Sequence, residues 1–239
     1  MSISRHAGNL VRPRVTGPEA MIEAVMELGI VPFFANGIPG YSIEEMTPAS
    51  NWFDSQENLM ATPWDWKIAC VQTGDIAYGK FLWGGKAAFA TVKWYRELRN
   101  YRQSLPKYQP DAAQKQVLDY LARNGSIGIK EIRGLLGVKK GQADALMMRL
   151  MMQCRAVTGD ITRVYRGPDL HYNGWQVSSF CTPEALFDTA PFAAFSGFPF
   201  QGESLEVRSS PEESWGLLCE HLRDLVPAIT EAQLKRLLG

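Results

Sequence analysis

Residues 111–179 read DAAQKQVLDYLARNGSIGIKEIRGLLGVKKGQADALMMRLMMQCRAVTGDITRVYRGPDLHYNGWQVSS, and their pattern predicts three helices followed by two strands. This is the element order of a winged helix-turn-helix. The first helix begins at Asp111, because Asp111 and Gln114 have the spacing of a capping box, in which each side chain bonds the backbone of the other residue. Asn124-Gly125 ends this helix, since glycine tolerates the left-handed backbone that follows a helix.

The rest of the stretch supplies two more helices and a β-hairpin. A short second helix is predicted over residues 129–136, because Gly137 stands where a left-handed residue is required. A third helix is predicted over about residues 139–153. Residues 155–158 and 175–179 are rich in strand-forming types and flank the turn Gly167-Pro168-Asp169, as the strands of a wing do.

Helix starts elsewhere in the chain are marked by proline and capping residues. The pairs Glu44/Glu45 and Glu212/Glu213 are therefore interpreted as helix N-terminal residues rather than paired catalytic acids. Residues 76–92 predict a hairpin that turns at Gly84-Gly85, and residues 93–103 predict a helix. Residues 189–204 are interpreted as a loop on the surface of the core. The helix starts are Gly17-Pro18-Glu19, Ser42 with Glu45, Thr182-Pro183-Glu184, Ser210-Pro211-Glu212-Glu213 and Thr230 with Gln233.

These patterns predict an α+β fold in which a winged helix-turn-helix unit packs against two other parts of the chain. The predicted divisions are an N-terminal lobe of helices and a β-hairpin (1–108), the winged-helix unit (109–180), and a C-terminal loop with helices that pack on the core (181–239). The chain has 239 residues and is 46% hydrophobic. That content is sufficient for a hydrophobic core and excludes a disordered chain.

The formal net charge of zero conceals a segregated distribution. Residues 1–90 carry 6 basic and 9 acidic side chains, residues 91–166 carry 15 and 6, and residues 167–239 carry 4 and 10. A basic middle segment is typical of a protein that binds a polyanion. The alternative is that the three segments neutralise one another in the fold.

The sequence favours a cytoplasmic protein without a metal or cofactor. Four cysteines are widely spaced and form no CxxC pair, and the three histidines are isolated. No phosphate-binding loop or nucleophile elbow is present. Arg5, Arg12 and Arg14 are not followed by the apolar segment of a signal peptide. No run approaches the roughly 18 apolar residues of a membrane span, so we expect no membrane association.

Two basic segments are candidates for nucleic-acid binding, with DNA as the expected partner. The third helix is apolar on nearly all sides, because Ala145, Met148 and Met152 lie opposite its inward face, and we expect it to pack against another lobe. Its N-terminal turn remains available for DNA. For the cations of the winged-helix segment, the alternative is that they are simply solvated. For residues 93–108, the alternative is an amphipathic helix whose aromatic side chains pack inward while its cations point outward. The candidates are Lys93, Arg96, Arg99, Arg102, Lys130, Arg133, Lys139, Lys140, Gln142, Arg149, Arg163 and Arg166.

The densest local cluster is Pro63-Trp64-Asp65-Trp66-Lys67. Two indole rings beside a carboxylate and an amine could line a ligand pocket, in which Asp65 would be the catalytic candidate. Equally, both tryptophans could be core residues. The pocket candidates are Trp64, Trp66, Lys67, Tyr78 and Lys80.

The chain resembles the AlkZ-related proteins over about residues 60–239. In that family a W-x-W-K stretch precedes a Y-G-K hairpin and then a winged helix. The segments that carry the resemblance are Pro63-Trp64-Asp65-Trp66-Lys67, Ala77-Tyr78-Gly79-Lys80-Phe81, Ile129-Lys130-Glu131-Ile132-Arg133, residues 145–157, and Gln233-Leu234-Lys235-Arg236-Leu237-Leu238-Gly239.

The resemblance implies a relative of winged-helix DNA glycosylases, which remove alkylated bases or unhook crosslinks. Those enzymes carry a Gln-hydrophobic-Gln or Gln-hydrophobic-Asp motif. Here the corresponding pattern is Gln114-Lys115-Gln116, which has lysine in the middle. The catalytic role is therefore not carried over, and the sequence leaves open whether the protein is an enzyme.

Three functions follow from these observations. The first is nucleic-acid binding through the basic middle segment, with a link to DNA repair and no assured catalysis. The second is an N-glycosylase, in which Trp64 or Trp66 would stack an extruded base and Asp65 would activate water. The third is an interaction or ligand-sensing protein whose winged helix is purely structural.

Overall fold

The computed structural model describes residues 5–6, 9–10, 13–52, 62–187 and 204–239. Apart from Ser204, the loop expected at residues 189–204 lies outside the described residues. The described ranges form a mixed α and β structure. Its helices are α1 (Pro18–Leu28), α2 (Ile43–Met46), α3 (Pro63–Gln72), α4 (Val92–Ser104), α5 (Ala112–Asn124), α6 (Ile129–Leu136), α7 (Lys140–Met152), α8 (Pro183–Phe187), α9 (Pro211–Leu225) and α10 (Glu231–Leu238), with 3₁₀ turns at Ala49–Asn51 and Pro106–Tyr108.

The strands form two small antiparallel sheets and one short pair. The first sheet has the order β3–β5–β4, and the second has the order β6–β8–β7. The second sheet is built around a long hairpin, in which Arg163 lies opposite Gln176. The strands are β1 (Arg5–His6), which pairs with β2 (Asn9–Leu10), β3 (Ile30–Pro32), β4 (Ile76–Leu82), β5 (Lys86–Thr91), β6 (Ser126–Gly128), β7 (Val157–Arg166) and β8 (His171–Cys181).

The helix order predicted for residues 111–179 is confirmed. The capping box of Asp111 and Gln114 is present at the start of α5, with both reciprocal hydrogen bonds at 2.8–2.9 Å. Gly137 follows α6 in the left-handed region with φ 65°. The two hairpin strands are longer than predicted, because β7 and β8 continue pairing to Arg166 and His171 beside the turn.

Two hydrophobic clusters hold these elements together. The larger cluster joins the two ends of the chain, since Leu28 and Phe89 belong to the same cluster as Leu222 and Leu237. The smaller cluster is formed by the inner faces of α5, α6 and α7 with Phe180 of β8. The boundaries at residues 108 and 180 stay predictions.

The third predicted helix, α7, packs against the β4–β5 hairpin, as its apolar outer face indicated. A Cβ atom at Gly79 would lie 3.1 Å from Sδ of Met151, and one at Gly85 would lie 2.7 Å from Sδ of Met148. A larger residue at either position would displace the end of a methionine side chain of α7, so the close approach favours glycine. Gly85 also has φ 95°, which favours glycine independently of the space.

Arg102 of α4 is fully buried. Its Nη1 atom donates to the carbonyl oxygens of Phe81 at 2.6 Å and Met152 at 3.0 Å. Its Nε atom donates to Leu238 O at 2.8 Å. Arg102 therefore connects β4 with the C-terminal ends of α7 and α10. The prediction that Arg102 contacts nucleic acid is wrong, because its side chain is not exposed to solvent.

We expect Arg102→Met to lower the free energy of unfolding by about 3 kcal/mol or more, because three buried carbonyl groups lose their donor and each uncompensated loss costs about 1–3 kcal/mol. Urea denaturation followed by circular dichroism measures this change. Arg123→Met is the matched control, since Arg123 is exposed on α5. Equal stability of the two variants would contradict the structural role of Arg102.

Candidate functional site

A groove of about 930 Å³ lies where β4, α6, α7 and the β6–β8–β7 sheet meet. Three lysines from three separate elements line it: Lys80 from β4, Lys130 from α6 and Lys140 from α7. All three side chains are exposed. The groove therefore collects positive charge from parts of the chain that are far apart in sequence.

The position of each lining residue follows from the local secondary structure. Lys140, Asp144, Met147 and Met151 all line the groove and are spaced four, three and four residues apart, which places them on one side of α7. On β8, Trp175 and Val177 point to the same side of the strand, and both are more than half exposed. Serine and threonine side chains complete the lining at Ser126, Thr158, Thr162, Ser178 and Ser179.

Two carboxylates also lie in the groove, and both have intramolecular partners. Oε2 of Glu131 accepts a hydrogen bond from the backbone N–H of Gly128 at 2.5 Å and so caps α6. Oδ2 of Asp144 lies 3.2 Å from Nζ of Lys140 in an exposed pair. Within the described ranges, neither Lys80 nor Lys130 forms an ion pair. The groove therefore keeps an excess of one positive charge.

The structure brings four of the sequence candidates together in this groove, namely Tyr78, Lys80, Lys130 and Lys140. Four further candidates lie on α6 and α7 or at the start of α7 without lining the groove: Arg133, Lys139, Gln142 and Arg149, all of them exposed. Gln142 caps α7, since its side-chain oxygen accepts from the Lys139 N–H at 3.0 Å. Arg166 lies on the hairpin, 6.0 Å from the centre of the Trp175 ring.

The cations of α4 are largely engaged within the protein. Nε of Arg96 lies 3.0 Å from Oε1 of the buried Glu97, and Arg99 pairs with Glu184. Lys93 is exposed and lies over the Trp94 ring at 4.6 Å. The buried Arg102 also departs from the alternative interpretation, in which all the cations of this helix point outward. The basic middle segment therefore does not present all its charge on one surface.

Asp65 is buried between α3 and the β7–β8 hairpin. Its Oδ1 atom accepts hydrogen bonds from Nε of Arg163 at 2.7 Å, the Tyr172 hydroxyl at 3.0 Å and Nε2 of Gln176 at 3.2 Å. The carboxylate is 3% exposed. These contacts attach the hairpin to α3, and the catalytic role of Asp65 and the nucleic-acid contact of Arg163 stay predictions.

The aromatic residues beside Asp65 form a packed cluster instead of lining the groove. Trp64 contacts Phe33, Phe34 and Trp52 with ring centroids 5.5–5.9 Å apart, although 44% of its surface is exposed. Trp66 is buried in the larger core. Neither tryptophan belongs to the groove lining.

Lys67 lies against this cluster. Its ammonium group is 5.1 Å from the centre of the Trp64 ring. Burial lowers the pKa of Lys67 from 10.5 to about 8, and the nearby Asp65 carboxylate opposes this shift. Lys67 is therefore partly neutral in mildly alkaline solution.

A family model described as AlkZ related matches residues 15–239. The chain belongs to the AlkZ-related family. The match extends the resemblance seen in residues 60–239 towards the N-terminus by about 45 residues. No curated protein and no solved structure matches the chain.

The AlkZ-related chain uses its Gln114-Lys115-Gln116 segment for structure. Gln114 is buried and caps α5, and its Oε1 atom also accepts a hydrogen bond from Nε2 of Gln153 at 2.9 Å. The side-chain oxygen of Gln114 thus joins α5 to the residue after α7. This structural role of Gln114 is consistent with assigning no glycosylase motif to residues 114–116.

Other site chemistries find no support in the described part of the chain. No helix there is long and apolar enough to cross a membrane. No group of three or more histidine, cysteine, aspartate or glutamate side chains within those ranges is placed to hold a metal. All four cysteines are free and buried, and burial raises the pKa of Cys181 to about 12, so its thiol stays protonated near neutral pH.

Sequence reasoning missed Trp175 as a functional candidate. The residue was assigned to a strand, where tryptophan ordinarily marks a buried face. A usable signal was present nevertheless: Trp175 and Val177 alternate with Gln176 and Ser178, while Arg163 and Gln176 face each other across the hairpin. Because Gln176 of this strand contacts Asp65, the neighbouring side chains of Trp175 and Val177 lie on the opposite face of the hairpin.

We expect Asp65→Ala to destabilise the protein by about 3–5 kcal/mol, because removing a buried carboxylate leaves the Arg163 guanidinium without its partner. Amide hydrogen exchange in β7 and β8 should accelerate together with this loss. Asp169→Ala at the exposed hairpin turn is the control. Wild-type protection of the hairpin in Asp65→Ala would refute the attachment role.

The lowered pKa of Lys67 predicts a pH-dependent stability. Because the folded state releases the Lys67 proton at about pH 8 and the unfolded state near 10.5, the unfolded state binds more protons between these values. The stability of the wild type relative to Lys67→Met should therefore increase as the pH rises through this window. Urea titrations at several pH values measure the difference, and a constant difference would contradict the assignment.

Proposed function

We propose that this AlkZ-related protein binds nucleic acid through the groove, and that residues 111–181 act as a winged helix-turn-helix. The observation that carries the proposal is the convergence of Lys80, Lys130 and Lys140 around the exposed ring of Trp175. Phosphate groups are bound by exposed lysines, and bases pack on aromatic rings.

The order of elements supports the winged-helix assignment. The chain runs α5, β6, α6, α7, β7 and β8, and the three strands form one antiparallel sheet in the order β6–β8–β7. In this assignment α7 is the second helix of the helix-turn-helix and the β7–β8 hairpin is the wing. Both contribute residues to the groove.

The charge on the groove is modest, but its carboxylates compete weakly with a ligand. An exposed i,i+4 ion pair such as Lys140–Asp144 contributes only about 0.3–0.5 kcal/mol. A phosphate that approaches Lys140 can therefore replace Asp144 at little cost. Lys130 and Lys140 also lie in the first turns of α6 and α7, where the helix dipoles attract anions.

Replacing Lys80, Lys130 and Lys140 together with glutamine should weaken binding and reduce the salt dependence. Each phosphate contact contributes about 0.7–0.9 to the slope of log K against log salt concentration, so the slope should fall by about 2–3. Fluorescence anisotropy with labelled plain, single-stranded and alkylated DNA at several salt concentrations measures this. Product analysis of the same samples detects any base removal.

The matched control replaces Lys115, Arg123 and Arg208, which are exposed and lie outside the groove lining. It removes the same total charge and should keep the wild-type slope. No binding of any of these DNAs at low salt would overturn the proposed function. Equal losses in the two triple variants would show that net charge alone, and not the groove, attracts DNA.

A further inference from the structure

We infer that the groove holds an unpaired polynucleotide strand, with a base stacked on Trp175, and that it does not use α7 to read a duplex. This inference rests on the proposed function and specifies which form of nucleic acid the groove takes. Three features of the described residues carry it: the covered surface of α7, the placement of Trp175, and the mixture of cationic and apolar lining.

One side of α7 is covered by the β4–β5 hairpin. Helices that read base edges must enter the major groove with an open outer face. Here Met148 packs against Gly85 and Met151 against Gly79, so the β4–β5 hairpin occupies that space. The backbone N–H of Lys80 also points to Sδ of Met151 at 3.4 Å. Entry of α7 into a duplex would require removal of the hairpin.

The exposed side chains of α7 lie mainly in its first two turns, which include the half-exposed Asp144. Lys140, Gly141 and Gln142 are exposed at the N-terminus, and Arg149 is exposed further along. Gln142 is already engaged with the Lys139 backbone. The N-terminal end of α7 can therefore bind a phosphate group, but the helix has no row of exposed side chains that could contact base edges.

Trp175 is placed to stack a base. It is 57% exposed on β8, in the groove, and the guanidinium of Arg166 lies 6.0 Å from its ring centre. In a duplex the bases are already stacked on one another, whereas an unpaired base presents its face. Aromatic rings beside cations are therefore typical of sites for single strands.

The remaining lining suits the two sides of a single strand. Trp175 and Val177 provide exposed apolar surface that can pack against bases, and Lys80, Lys130 and Lys140 can bind phosphates. The hydroxyl groups of Ser179 and Thr162, which lie on the same face of the hairpin as Val177, can donate to phosphate or sugar oxygens. A duplex would offer only its phosphate backbone to such a surface and would leave the apolar residues without a use.

Asp144 gives this inference a second, opposite test. Its carboxylate opposes a phosphate bound at Lys140. Asp144→Asn should therefore strengthen binding by about 2-fold, in line with the small energy of an exposed i,i+4 pair. A gain in affinity cannot result from a damaged fold.

The experiment compares a labelled single-stranded DNA, a single-stranded RNA of the same sequence and the corresponding DNA duplex, by anisotropy at one low salt concentration. We expect the unpaired strands to bind at least about 10-fold more tightly than the duplex. Trp175→Ala should weaken single-strand binding by about 5- to 100-fold, and Trp175→Phe should retain most of it. The ratio of DNA to RNA affinity identifies the strand chemistry that the groove prefers.

Leu170→Ala is the matched control, since Leu170 is an exposed apolar residue of the same hairpin and lies outside the groove lining. Binding of the duplex as tightly as the single strand, or unchanged single-strand binding by Trp175→Ala, would overturn this inference while leaving the proposed function in place. Failure of the wild type to bind any of the three nucleic acids would overturn the proposed function itself.

Discussion

The arrangement of the whole molecule depends on satisfying one buried cation. A buried guanidinium group loses its hydrogen bonds to water. Unless it donates hydrogen bonds to acceptors of the protein instead, the free-energy cost of burying the charge destabilises the folded state. Arg102 meets this requirement with the carbonyl oxygens of Phe81, Met152 and Leu238. Two of these carbonyls lie at helix C-termini, where the helix dipole carries partial negative charge. The cation therefore fixes the ends of α7 and α10 on β4 without any carboxylate.

The groove is a consequence of that connection. Lys80 belongs to β4 and Lys140 to α7, and the two reach the same groove because α7 is held on the hairpin. Glycines 79 and 85 let the helix approach, and Arg102 fixes its far end. The same contacts cover the outer face of α7. The packing of α7 on the hairpin thus assembles the positive groove.

The sequence predicted the helices whose ends are marked by residues that bond the adjacent backbone. Capping residues at Asp111, Ser210 and Thr230 located three helix starts, because these side chains bond the first backbone N–H groups directly. The sequence patterns did not give α3 or β3, since neither has an amphipathic pattern: most residues of α3 and all of β3 are buried. The sequence also could not predict which arginine side chains are buried, because Arg102 and Arg149 both lie on helices with many apolar residues. Only tertiary contacts separate the buried cation from the exposed one.

The hydrogen bond between Arg102 and Leu238 spans 136 residues. At a ribosomal rate of about 5–20 residues per second, roughly 7–30 s pass between the synthesis of the arginine and that of its acceptor. Throughout that interval the nascent polypeptide lacks the Leu238 carbonyl and the apolar surface of α10, although the Phe81 carbonyl is already present. The two halves of the larger core can therefore close only late in translation. Such a chain exposes its unfinished interior to chaperones for longer than a protein whose contacts are mostly between neighbours.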